Sequence, residues 1–77
     1  METPLEMARR HVAEGERLIA EQQARIIDLR ADGHPTGQAE EFLTALLRTL
    51  AAMQEHLATE EETAGRSLPR TESAGRS

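Results

Sequence analysis

The stretch Ala31-Asp32-Gly33-His34-Pro35-Thr36-Gly37 decides the fold. Glycine readily takes the left-handed conformation just past a helix end, so Gly33 reads as a C-terminal cap. Pro35 has no N–H to donate and pushes the residue before it out of the helical region. A helix arriving at Asp32 therefore stops here. Thr36 then stands where a new helix would be capped, with Glu40 and Glu41 in its first turns to complement the dipole.

Apolar residues on both sides of this turn repeat with a helical period. Upstream, Thr3-Pro4-Leu5-Glu6 is a start signal: threonine as cap, proline at the first helical position, glutamate placed to close a capping box. One core position of the heptad then falls on Leu5, Val12, Ile19 and Ile26, the other on Ala8, Gly15, Gln22 and Leu29. Downstream, Leu43, Leu50 and Leu57 form one row, and Ala39, Leu46 and Met53 the other. Folding back about the turn brings the two seams together. Ile26 meets Leu43, Ile19 meets Leu50 and Val12 meets Leu57; Leu29 meets Ala39, Gln22 meets Leu46 and Gly15 meets Met53. The expected fold is all-α, an antiparallel, coiled-coil-like two-helix hairpin over residues 1–62 with helices at about 4–32 and 37–60. The run Glu60-Glu61-Glu62 opposes the dipole of the second helix and is expected to fray it.

Composition narrows the possibilities further. The chain has 77 residues, no cysteine and a single aromatic residue, Phe42. That excludes disulfides, thiolate metal sites and base-stacking platforms. The net charge of −5 argues against nucleic acid, whose binding needs cations to displace condensed counterions. No run approaches the roughly 20 apolar residues of a membrane span, and Met1 leads into no charged-then-apolar signal, so the expected compartment is the cytoplasm. All nine basic residues are arginine, a bias that accompanies GC-rich bacterial coding.

Four apolar residues stand off the seam: Leu18, Ile27, Phe42 and Leu47. They widen the apolar stripe beyond what one partner helix covers, and so small a domain gains little stability from one seam. A homodimer forming a four-helix bundle is the economical way to bury them. Gln22, polar at a core position, reads either as a partly exposed side chain or as a buried contact that fixes register.

Chemistry has few candidates. His11 and His56 fall on different helices at the same end of the hairpin, with Glu14 and Glu60 one turn away. Together they make a weak imidazole–carboxylate metal set. The di-iron Glu-x-x-His signature is absent, because residue 8 is Ala and residue 53 is Met. His34 reads as plain loop. No catalytic grouping or phosphate loop is recognisable, so no enzyme and no cofactor is expected. Residues 63–77 carry Ala-Gly-Arg-Ser twice, at 64–67 and 74–77. They read as a disordered tail, whose repeat suggests a short recognition motif or a phosphorylation segment at Ser67, Thr71 or Ser77.

The string His11-Val12-Ala13-Glu14-Gly15-Glu16-Arg17, then Ile19-Ala20 with Gln22, Asp32-Gly33-His34 and Ala39-Glu40 ahead of the leucines, resembles small helical-hairpin proteins of alphaproteobacteria such as rhizobia. The resemblance runs from Arg10 to Leu57. It implies a stand-alone helical hairpin and brings no activity or catalytic residue with it. The function expected on these grounds is a non-enzymatic interaction or regulatory protein acting through helix faces, with an unidentified protein as a possible partner. The alternative is a metal- or pH-responsive bundle using His11 and His56.

Overall fold

A reciprocal exchange starts the first helix. The Thr3 N–H donates to Glu6 Oε1 at 2.8 Å, and the Glu6 N–H donates to Thr3 Oγ1 at 3.0 Å. Two donors that the first turn would leave unpaired are thereby satisfied. The computed structural model describes residues 1–67 and is all-helical, with two helices packed as a hairpin: α1 (Pro4–Ala31) and α2 (Gly37–Ser67). Gly33, at φ +75°, closes α1. Its N–H reaches the Arg30 carbonyl at 3.1 Å, and the His34 N–H reaches that of Leu29 at 2.9 Å. These are the two bonds of a Schellman cap.

Thr36 behaves differently from the cap the sequence suggests. Its carbonyl accepts the Glu40 N–H at 2.8 Å, while its hydroxyl donates to Glu40 Oε2 at 2.8 Å. That carboxylate also takes Arg30 Nη2 at 2.8 Å. The hydroxyl is oriented as a donor to this ionised carboxylate, a charge-assisted bond, and not as an acceptor for a first-turn N–H.

The two seams are those read from the heptads. In α1, Ala8, Gly15, Ile19 and Ile26 are buried, and Leu5, Val12, Gln22 and Leu29 are half-buried. In α2, Ala39, Leu43, Leu46, Leu50, Met53 and Leu57 are half-buried. Their register is displaced by about one turn from the expected one. A Cβ placed on Gly15 would lie 3.9 Å from Leu50 Cβ, so Gly15, not Ile19, is level with Leu50. Met53 still reaches Gly15, through its flexible end, with Cε 2.9 Å from that position. Heptad steps from the Gly15–Leu50 layer set Ala8 level with Leu57 and Gln22 level with Leu43. The loop causes the shift. Residues 34–36 are not helical, and such chain advances about 3.3 Å per residue against about 1.5 Å in a helix. Pro35 accordingly lies alongside Leu29, and α2 begins lower on α1.

α2 also continues seven residues past the expected end at 60. Glu60 and Ala64 keep the heptad and are half-buried, facing Pro4 and Leu5. Arg66 pairs with Glu62 at 3.1 Å and occupies the last turn. The three carboxylates thus lie before the last turn, where the dipole effect has faded, and a cation stands at the end. Residues 63–67, expected in the tail, are helical; the rest of that expected tail, with Thr71 and Ser77, lies outside the described residues.

Candidate interaction surface

Each helix carries the seam in its centre and one flank on either side. Two interhelical ion pairs define the first flank: Arg30–Glu40 at 2.8 Å near the loop and Arg9–Glu61 at 4.0 Å near the open end. Ile27 and Leu47 stand on the rows that run between these pairs, 63% and 47% exposed. The opposite flank holds two grooves. One is lined by Gln22, Arg25, Leu29, Pro35 and Phe42, the other by Pro4, Leu5, Glu60, Thr63 and Ala64. Phe42 (55% exposed) belongs to this second flank, and Leu18 (41%) shares its heptad position on α1. The four off-seam residues therefore do not form one patch. They divide two and two, a division visible in the sequence only once the register is known.

Gln22 is explained by the same geometry. Its Nε2 donates to the Ala39 carbonyl at 3.0 Å across the seam, so the half-buried polar group has a partner.

The titratable groups of the described residues sit mostly in surface pairs. Arg10 grips Glu2 with Nε at 2.9 Å and Nη2 at 3.1 Å, and holds Glu14 at 3.3 Å. The hydrogen bond from Arg10, with the charges of Arg10 and His11 added, holds the Glu2 carboxyl below the ordinary carboxylate range. The same bond raises the Arg10 guanidinium. Glu14 is thus engaged by Arg10, not by His11. His56 Nε2 lies 3.8 Å from Glu60 Oε2. Among the described residues no three His, Asp or Glu side chains are arranged to hold a metal ion, and His11, Glu14, His56 and Glu60 do not converge as a ligand set. Among the described residues no helix is long and apolar enough to cross a membrane.

No protein-family model, curated protein or solved structure matches the chain. The reading of its function rests on the surface itself.

Proposed function

We propose that this hairpin is a small, non-enzymatic interaction protein that works through its helix faces, and that its working form is a homodimeric four-helix bundle. The observation that carries this reading is the middle of α2. Between Phe42 and Thr59 the only charges are Arg48 and Glu55, seven residues apart and so on one outer face. The rest is leucine, alanine, threonine and other uncharged residues, yet not one described residue of α2 is fully buried. A helix apolar on most of its circumference belongs in an interior, and α1 covers only its seam. A second helical layer supplies the missing cover.

Light scattering and melting over a wide concentration range test it. A mass of twice 8.5 kDa and a melting temperature that rises with concentration are expected, because association then contributes to folding by mass action. An 8.5 kDa species whose melting does not depend on concentration overturns the dimer.

A further inference from the structure

The rows between the two interhelical ion pairs have a regularity that identifies their occupant. On α1, Arg9 and Arg30 end a row whose interior is Ala13, Glu16, Ala20, Gln23 and Ile27. On α2, Glu61 and Glu40 end a row whose interior is Thr44, Leu47, Ala51, Gln54 and Ala58. Both rows step by three and four residues, both span 21 positions, and every interior residue is exposed. One helix contributes a cation at each end, the other an anion at each end.

We propose that this flank docks onto the same flank of a second copy, about a two-fold axis parallel to the helices, with both loops at one end of the bundle. The proposal rests on the dimer reading above and names its face and symmetry. Charge decides it. With the axis along the helices, each α1 lies on the partner's α2 at equal height. Arg9 then reaches toward the partner's Glu61, and Arg30 toward the partner's Glu40, across the same axial step that each spans within its own hairpin, so that each ion pair becomes a square of alternating sign. Between the squares, on the register of the seam, Leu47 stands level with the span between the partner's Glu16 and the partner's Ala20, and Ala51 is level with the partner's Ala13. With the axis perpendicular to the helices each helix would lie on its own copy. Arg9 would then meet the partner's Arg30, and Glu61 the partner's Glu40, which is repulsive at both ends. Either axis makes every neighbouring pair of helices antiparallel, as in up-down-up-down bundles, so the charges alone separate the two arrangements. The Leu18–Phe42 flank is the poorer candidate. Its α1 row carries Glu14, Glu21 and Asp28 against one arginine, Arg25, and the α2 row beside it, from Phe42 through Ala45, Thr49 and Ala52 to His56, has no arginine or lysine to answer them.

The absence of cysteine makes a direct test simple. A nitroxide on His34→Cys, in the exposed loop, reports the loop-to-loop distance in the dimer. The parallel axis predicts about 20 Å or less, since packed helices lie about 8–10 Å apart. Loops at opposite ends would give about 40 Å, the length of a 28-residue helix. Leu47→Glu is expected to weaken dimerisation at least tenfold, and Phe42→Glu, on the other flank, less than threefold. An equimolar mixture of Arg30→Glu and Glu40→Arg chains should form the mixed dimer in preference to either homodimer. A dimer with the long distance, one that survives Leu47→Glu but not Phe42→Glu, or one with no mixing preference overturns this arrangement and leaves the dimer standing. A monomer at every concentration overturns both.

Discussion

α1 and α2 share one seam but are finished differently. α1 buries four residues, including Ile19 and Ile26 at 8% and 6% exposure, and dresses its outer face with spaced ion pairs such as Arg17–Glu21 at 2.7 Å. α2 buries none of its described residues and leaves its central eighteen residues nearly uncharged. α1 is the better covered of the two, with only Leu18 and Ile27 left as exposed large apolar residues beyond its first turns. The seam of α2 is equally regular, yet its flanks resemble interior. Two helices of one hairpin can thus meet through matched heptads and still differ in how much cover each requires.

Core truncation gives the widest separation between them. Ile26→Ala is expected to cost about 2–4 kcal/mol, enough to unfold most of the population of so small a protein. Leu43→Ala, at a half-buried position, should cost about half as much in dilute solution. Urea titration of both variants checks this. Equal losses would mean that the seam of α2 is as covered in solution as that of α1.

Next comes the close approach at Gly15. A Cβ there meets Met53 Cε at 2.9 Å and Leu50 Cδ1 at 3.2 Å. Gly15→Leu should separate the helices and cost about 1–3 kcal/mol. Met53→Ala should recover part of that loss, as a double-mutant cycle by thermal melting would show. A purely additive cycle would mean that the contact does not set the interhelical spacing.

The two helix starts make a smaller contrast. Thr3→Ala removes half a capping box and should cost about 1 kcal/mol. Thr36→Ala should cost about half that or less, because its hydroxyl serves the Glu40 side chain and not a backbone N–H. Chemical denaturation of the pair decides the order.

The smallest effect is electrostatic. Glu2 ionises more readily in the fold than in the unfolded chain, so its contribution is present in full above the ordinary glutamate pKa. It is lost as the pH falls through the lowered folded value. Glu2→Gln should therefore melt slightly below the parent protein near neutrality and converge with it in acid. Parallel melting curves across the acid range would contradict this.

Much of this architecture can be read from residues alone. Gly33 and Pro35 fix the turn, Thr3 and Glu6 fix the start, and the heptads name every seam position from Leu5 to Leu57. The register escaped by one turn because it depends on how far residues 34–36 travel, which is a length and not a pattern. The end of α2 escaped because Glu60 and Ala64 hold seam positions without being strongly apolar. Arg66, four residues after Glu62, was the signal available. The surplus of Leu18, Ile27, Phe42 and Leu47 was legible as a quantity, but its division between two flanks was not, since flanks exist only once two helices are set side by side.

The open end of the hairpin, where Pro4 and Leu5 lie beside Glu60 and Ala64, has a mechanical consequence. Tension that draws these two helix ends apart acts across the seam and reaches its layers in turn. First it meets the contact at Leu5, then the Ala8–Leu57 layer, then Gly15 against Leu50, each breaking before the next is loaded. Tension applied between Gly33 and one of those ends runs along a single helix and is carried by its backbone hydrogen bonds, leaving the seam nearly unloaded. The molecule is therefore compliant to peeling and stiff to axial pulling, and Gly33, at the far end from the opening, is the last point that peeling reaches.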